Sequence, residues 1–91
     1  MLRIIRSNRF EKDLKLAIRR GCDLQPLKLV VDILVAGQPL PARYRDHALL
    51  GEYTGFRECH VKSDWLLIYR IDAEDLELFL LRIGSHSDLF V

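Results

Sequence analysis

Cysteine is scarce in this chain, which has only Cys22 and Cys59 among its 91 residues. Two cysteines this far apart cannot build a disulfide framework or a four-cysteine zinc site. We therefore interpret both as ordinary reduced thiols.

Long apolar segments are also missing. Residues 1–9 become polar after the fifth position and lack the apolar stretch of a signal peptide. No segment approaches the roughly 20 apolar residues that a membrane-spanning helix needs. These absences predict a soluble, cytoplasmic protein with no membrane partner.

Three catalytic signatures are absent as well: GxSxG, a glycine-rich phosphate loop and a usefully spaced Cys/His pair.

The chain has almost no net charge, because 14 Lys and Arg oppose 13 Asp and Glu. Its total charge favours neither a nucleic-acid binder nor an enzyme for acidic substrates. The charges are nevertheless segregated: residues 1–30 carry eight basic and three acidic side chains, a net +5, whereas residues 71–91 carry one basic and five acidic ones, a net −4. A basic amino-terminal third suits a polyanionic partner, although a solvated helix face would produce the same count.

Two helices are predicted in the first half of the chain. Asn8 and Glu11 resemble a capping box, and apolar residues then recur at helical spacing until Gly21. The second helix has Pro26 in its first turn and stops at Gly37. The outward face of the first helix carries four basic side chains, namely Arg9, Lys12, Lys15 and Arg19.

Strands are predicted on both sides of these helices. A short β-branched run precedes them, and an aperiodic connection separates them from three longer apolar runs. The four runs are residues 2–5, 56–61, 65–71 and 76–83. The run 65–71 is apolar on both faces, as in a central strand, and we expect its Trp65 and Tyr69 to lie in the core. The order β-α-α-β-β-β predicts one α+β domain over residues 1–91, with the helical hairpin packed on one face of a mainly antiparallel sheet and a short carboxyl-terminal tail.

The histidines are the strongest candidates for chemistry. His47, His60 and His86 fall in predicted loops or near strand ends, and Asp64 follows His60 across a predicted turn. A neutral and a protonated imidazole can act as general base and general acid on a phosphodiester without a metal, although inert surface histidines are common. The spacing of these four residues matches no compact ligand motif, so we expect no metal and no cofactor. Phe90 suits either core packing or stacking on an unpaired base.

Three spaced motifs in the second half of the chain carry a family resemblance. They are D-H-x-L-x-G from Asp46, R-x-x-H-x-x-x-D-W from Arg57 and G-[ST]-H-x-x-L-F from Gly84. In this combination the chain resembles the YafQ branch of the RelE-type toxins of bacterial toxin–antitoxin pairs, and with the basic helix the similarity covers nearly the whole chain. The resemblance implies a RelE-like fold and an endoribonuclease that cuts messenger RNA on the translating ribosome and is silenced by a small antitoxin.

The resemblance also implies roles for individual residues. The implied chemistry is metal-free attack of a ribose 2′-hydroxyl on the adjacent phosphate. His86 is then the principal proton-transfer residue, with His60 and Asp64 completing the acid–base set and His47 positioning or neutralising the phosphate. Phe90 would stack on a nucleotide and hold the scissile linkage.

Substrate and partner contacts follow from the same resemblance. Arg57 and Arg82 are candidates to stabilise the pentacovalent transition state, with solvent-facing strand residues as the alternative interpretation. Lys12, Lys15 and Arg19 would contact ribosomal RNA phosphates without reading bases. The antitoxin would cover basic or catalytic surface with an acidic, partly disordered segment and form a hetero-oligomer with the toxin.

Two other functions remain open at this point. ParE-type relatives share the fold and resemble inhibitors of DNA gyrase, but they lack the matched histidine and aspartate set. A catalytically inactive RNA- or ribosome-binding module would keep the fold without the activity. The chain also departs from the family at Val91, which is larger than the residue commonly found after Phe90 and is expected to affect how that ring is presented.

Overall fold

The computed structural model describes residues 1–90, so the expectation for Val91 lies outside the described residues. The chain forms five strands and three helices. They are β1 (Arg3–Arg6), α1 (Asn8–Arg19), α2 (Gln25–Val35), β2 (His47–Ala48), β3 (Arg57–Lys62), β4 (Trp65–Asp72), β5 (Glu77–Gly84) and α3 (His86–Leu89). The predicted α+β order is confirmed. The aperiodic connection additionally contains the two-residue strand β2 and two 3₁₀ turns, Ala42–Tyr44 and Gly51–Tyr53.

The strands form one mixed sheet in the order β1-β5-β4-β3-β2. Neighbouring strands are antiparallel except for β1, which runs parallel to β5. The central strand is β4, as predicted, and four successive residues from Leu66 to Tyr69 are fully buried because both faces of the strand are covered. Trp65 and Tyr69 pack in the main core, which confirms their interpretation as core residues.

Helices α1 and α2 cover one face of the sheet. They contribute Phe10, Leu27, Val30 and Leu34 to a core that the strands complete from the same side. In the described part of the chain, no helix is long and apolar enough to cross a membrane.

The cap of helix α1 differs from the prediction. Ser7 is the N-cap, and its hydroxyl oxygen accepts a hydrogen bond from the backbone N–H of Phe10 at 2.9 Å. The capping box assigned to Asn8 and Glu11 is therefore wrong, because Glu11 instead forms an ion pair with Arg6 at 2.9 Å. Serine and asparagine are both good N-caps, and the local sequence does not separate two adjacent candidates.

Beyond the end of β1, helix α1 forms hydrogen bonds with the edge of β5. Strand β1 pairs only with Glu77–Leu80, the first half of β5. Beyond that point the Ser7 hydroxyl donates to the carbonyl oxygen of Leu81 at 2.7 Å, and the Asp13 carboxylate accepts the N–H of Ile83 at 3.1 Å. Side chains of α1 thus satisfy backbone groups that a longer β1 would have paired.

The sheet face opposite the two long helices is called the open face here. Leu66 and Ile68 lie on it, and a small apolar cluster forms there with Leu89 of α3 and residues of the 49–56 segment. This cluster fixes α3 and the 3₁₀ turn Gly51–Tyr53 above the sheet.

Candidate active site on the open face

The strand register brings distant parts of the sequence into one row on the open face. His47 lies opposite Glu58, Glu58 opposite Ile68, and Ile68 opposite Arg82. His60 is two residues after Glu58 on β3 and therefore projects from the same face. The register thus gathers two of the predicted histidines and Arg82 around the buried apolar cluster.

Glu58 is the residue that sequence reasoning missed. Its side chain is only 5% exposed, and its Oε1 atom lies 3.5 Å from Nε2 of His47 and 3.8 Å from Nε2 of His60. The signal was present in the sequence, because side chains two positions apart on a strand share a face. A carboxylate two residues before a candidate histidine in a predicted strand therefore belongs in the same cluster.

The orientation of the His47 ring is fixed by the backbone. Its Nδ1 atom lies 2.8 Å from the carbonyl oxygen of Arg45, which can only accept a hydrogen bond. The tautomer with its proton on Nδ1 fits this hydrogen bond, and Nε2 then faces the Glu58 carboxylate. The His47 ring is thus held between the Arg45 backbone and Glu58.

Arg57 lies on the other side of β3 from this cluster. It alternates with Glu58 along the strand, and its guanidinium donates to both carboxylate oxygens of Asp46, with the shortest distance 2.9 Å. The hydroxyl of Tyr69 also donates to Asp46, and the hydrogen bond to Asp46 raises the pKa of Arg57. The structure does not bring Arg57 to the histidines. It holds Asp46, the residue before His47, and so supports the segment that carries that ring.

The two cysteines are free thiols. Cys22 is exposed, whereas Cys59 is buried beside this site on β3. Burial, together with the charges of Asp46 and Glu58, raises the pKa of Cys59 to about 12. A thiol that stays protonated at neutral pH is a poor nucleophile, so Cys59 acts as a packing residue.

His86 is the first residue of the short helix α3, which is held in place by several side chains. Ser85 and Asp88 form a capping box, and Arg20 donates to Asp88 at 3.3 Å. The hydrogen bond from the backbone of Ser85 lowers the pKa of Asp88. Asp64 accepts the backbone N–H of His86 at 3.1 Å. Asp64 thus contacts the backbone of His86 and fixes the position from which its side chain projects.

Phe90 is 41% exposed and packs between two other rings. Its ring centroid lies 5.3 Å from that of His86 and 5.8 Å from that of Tyr53, the latter in an edge-to-face arrangement. Tyr53 was not singled out from the sequence, because a lone tyrosine in an aperiodic segment gives no signal. The three rings form an aromatic group, and Tyr53 packs against the apolar cluster of the open face.

Arg82 is buried, so the interpretation of this residue as solvent-facing is wrong. Its Nε atom donates to Asp13 Oδ2 at 2.8 Å, and its Nη2 atom donates to Asp13 Oδ1 at 3.1 Å. The hydrogen bond to Asp13, with a smaller contribution from Tyr53, raises the pKa of Arg82. Arg82 therefore presents a fixed, permanently charged guanidinium at the edge of the open face, clamped from behind by helix α1.

The basic side chains of α1 lie where the sequence predicted. Lys12, Lys15 and Arg19 are exposed, and none of them forms an ion pair with another residue within the span 1–90. Their side chains are therefore open to solvent and available to a partner.

The histidines are not gathered into a three-ligand metal set. Within residues 1–90, the one group of three ligand atoms close enough to share an ion is acidic and lies at the opposite end of β4 and β5: Asp72, Asp75 and Glu77. Asp72 there accepts the backbone N–H groups of Glu74 and Asp75, and Glu77 pairs with Arg3. Those carboxylates are used in turn and strand-edge contacts.

Comparison with known proteins identifies the family. A family model described as the YafQ toxin of bacterial type II toxin–antitoxin systems matches residues 2–91. The mRNA interferase toxin YafQ of Escherichia coli K12 is 42% identical over 85 residues, which cover 92% of this chain and 90% of that protein. A metal-bound toxin from Helicobacter pylori is 50% identical, with a TM-score of 0.91 over 99% of this chain and 100% of that one. In the E. coli DinJ–YafQ complex, the matching chain is 40% identical with a TM-score of 0.89, and both chains are covered completely. This chain therefore belongs to the YafQ family of toxins from bacterial type II toxin–antitoxin systems.

Proposed function

We propose that this chain is a ribosome-dependent endoribonuclease that cleaves messenger RNA with side chains alone as proton donors and acceptors. Its E. coli relative bears the name mRNA interferase toxin. The observation that carries the proposal is the buried carboxylate of Glu58 between the imidazoles of His47 and His60. Such a cluster supplies the proton donors and acceptors that phosphodiester cleavage requires.

In the proposed reaction, the ribose 2′-hydroxyl attacks the adjacent phosphorus. The O2′–P bond forms while the P–O5′ bond breaks, which leaves a 2′,3′-cyclic phosphate and a free 5′-hydroxyl. One group takes the proton of the 2′-hydroxyl, and another gives a proton to the departing O5′. We assign His86 to one transfer and the His60–Glu58 pair to the other. His47 positions or neutralises the phosphate.

Other residues of the open face position the substrate. The half-exposed ring of Phe90 offers a face on which a nucleotide base stacks, and Tyr53 holds that ring edge-to-face. Arg82, fixed by Asp13, adds positive charge where the transition state is most anionic. Asp64 sets the start of α3 and thereby the place of His86.

Gly84 offers a test of how closely α3 must be held. A Cβ atom at this position would lie 3.0 Å from Cβ of Asp88 and 3.3 Å from Cδ2 of Leu89. We expect Gly84→Ala to push α3 outward and to cost about 1–3 kcal/mol of stability through overpacking. Cleavage should fall further than this loss of stability explains, since His86 moves with the helix. Thermal unfolding and cleavage rates, measured below the melting transition, would separate the two effects; an unchanged cleavage rate would show that the placement of α3 is not critical.

The nuclease and the gyrase-inhibitor alternative predict different products. Primer extension on messenger RNA from cells that express the chain should give discrete 5′ ends within translated regions. A supercoiling assay with purified DNA gyrase should show no inhibition. Inhibited supercoiling with intact RNA would reverse the assignment and favour a ParE-type activity.

We further propose that a cognate antitoxin binds this chain in the cytoplasm, where both ribosomes and the toxin complex would be found. The E. coli relative has been solved in complex with DinJ, in a DinJ–YafQ toxin–antitoxin complex. The basic amino-terminal third of this chain suits an acidic partner segment. Copurification of a small protein with an acidic segment, as a hetero-oligomer with this chain, would support this partner.

The exposed cations of α1 are proposed to bind ribosomal RNA. Replacing Lys12, Lys15 and Arg19 together by glutamine should weaken cosedimentation with ribosomes and reduce its dependence on salt, because phosphate contacts release counterions. The matched control neutralises three cations that are each already bound to a carboxylate, Arg3, Arg6 and Lys28, here called the paired cations. Equal effects of the two triple variants would mean that only total charge matters.

A further inference from the structure

A second pocket lies beside the candidate active site, at the edge of β3 beyond the two residues that pair with β2. It has a volume of about 360 Å³. Three basic side chains line it together with His60, namely Arg43, Arg45 and Lys62, and no carboxylate lines it. The pocket is thus a local concentration of positive charge in a nearly neutral chain.

The three cations of this pocket lack acidic partners. Arg43, Arg45 and Lys62 are exposed, and none of them forms an ion pair with any residue in the described range 1–90. The paired cations, by contrast, each contact a carboxylate. Like charges gathered in a concave site repel one another, and an anion that enters the site removes this repulsion.

One cation, Arg43, is held by side-chain contacts, and the backbone that carries Arg45 is fixed by its own contacts. The guanidinium of Arg43 lies 4.6 Å from the centre of the buried Tyr44 ring and donates to the Tyr44 hydroxyl at 2.9 Å. Arg45 follows in the left-handed conformation, with φ of 50°, an unusual state for a residue other than glycine. Its carbonyl oxygen accepts the Nδ1 proton of His47, so the backbone that forms the pocket also orients a histidine of the active site.

We propose that this pocket binds phosphate groups of the RNA on one side of the bond that is cut. The inference rests on the proposed nuclease function, because His60 is shared: it lines the pocket, and its Nε2 atom lies 3.8 Å from Glu58. A strand of RNA seated in the pocket therefore continues directly to the catalytic imidazoles. Guanidinium groups suit phosphate oxygens, which they bind with two parallel hydrogen bonds.

The test uses an RNA that the proposed chemistry cannot cut. A fluorescent single-stranded RNA with 2′-O-methyl groups throughout is titrated with protein, and Kd is measured by anisotropy over a range of salt concentrations. The pocket variant R43Q/R45Q/K62Q should bind on the order of 10-fold more weakly, and the logarithmic slope of its salt dependence should become shallower by about 0.7 for each phosphate that it no longer neutralises. The control R3Q/R6Q/K28Q carries the same change in net charge and should bind as the unaltered chain does.

Several outcomes would overturn the assignment. Equal weakening in both triple variants would trace the effect to total charge, and unchanged binding in the pocket variant would remove the pocket from the RNA path. A labelled decaglutamate peptide that loses binding to the pocket variant while RNA does not would reassign the pocket to an acidic protein segment. If the triple variant melts early, the double variant R45N/K62Q gives the same readout, because asparagine accepts the left-handed conformation.

The uncleavable RNA separates this inference from the proposed function. If messenger RNA stays intact in cells but the pocket variant still loses affinity for RNA, the nuclease assignment fails and the binding site stands. If messenger RNA is cut and the pocket variant binds and cuts as well as the unaltered chain, the binding site fails and the nuclease assignment stands.

Discussion

Replacing His86 by alanine is expected to abolish growth arrest and to reduce messenger RNA cleavage by about 10²–10⁴-fold, the usual contribution of one positioned acid or base. The imidazole is exposed and contacts the Phe90 ring, whereas the hydrogen bond to Asp64 comes from the backbone and survives the substitution. The fold should therefore remain intact. Single-turnover cleavage on programmed ribosomes, with thermal unfolding in parallel, measures both properties.

Ser87 provides the matched control for this variant. It is the next residue of the same short helix and is exposed, so Ser87→Ala changes α3 equally little without touching an imidazole. Full toxicity in a folded, well-expressed His86→Ala variant would remove His86 from the mechanism. Loss of cleavage with ribosome binding retained would also exclude the inactive binding-module alternative for the unaltered chain.

Glu58→Gln is expected to lower kcat by on the order of 10²-fold while leaving KM nearly unchanged. Glutamine keeps the shape of the side chain but removes the negative charge that faces His47 and His60. Both imidazoles then lose their carboxylate partner, and the proposed His60–Glu58 pair no longer exchanges a proton. Substrate affinity should persist, because Phe90 and the basic surfaces are untouched.

Glu52→Gln controls for the loss of one carboxylate from the same region, because Glu52 is exposed on the 3₁₀ turn Gly51–Tyr53. Stability also distinguishes the interpretations. If Glu58 has only a structural role, the Glu58→Gln variant should have a lower melting temperature and an unchanged kcat per folded molecule. That result would place Glu58 outside the reaction.

Local patterns in the sequence predict the long helices and strands but not α3, since residues 86–89 lie in the predicted tail and form a helix. Apolar residues at a period of 3.6 predict both long helices, and a continuous apolar run predicts the central strand. Burial imposes these patterns on any chain. The two-residue strand β2 carries no such pattern, since it is too short to show an alternation. The choice between Ser7 and Asn8 as N-cap was decided by the β5 edge, where the Ser7 hydroxyl finds the carbonyl of Leu81.

The candidate site shows a similar division. The histidines, Asp64 and Phe90 could be proposed from residue chemistry and family resemblance. The partner of Arg82 could not, because Asp13 lies 69 positions away and only the packing of α1 on β5 brings the two together. Glu58 was readable in principle from strand alternation, whereas the pocket beside His60 depends on how the 3₁₀ turn Ala42–Tyr44 packs against β3.

Helix α1 contacts the edge of β5, the side chain of Arg82 and helix α3. Its amino-terminal Ser7 and its Asp13 complete the hydrogen bonding of β5, Asp13 also clamps Arg82, and Arg20 at its carboxyl-terminal end holds Asp88 of α3. Local unfolding of α1 would therefore expose the edge of β5, free the Arg82 guanidinium and loosen α3, which carries His86, in a single event. A protein that bound the exposed side of α1 would stabilise the same contacts. Its binding free energy would therefore add to the stability of the open face.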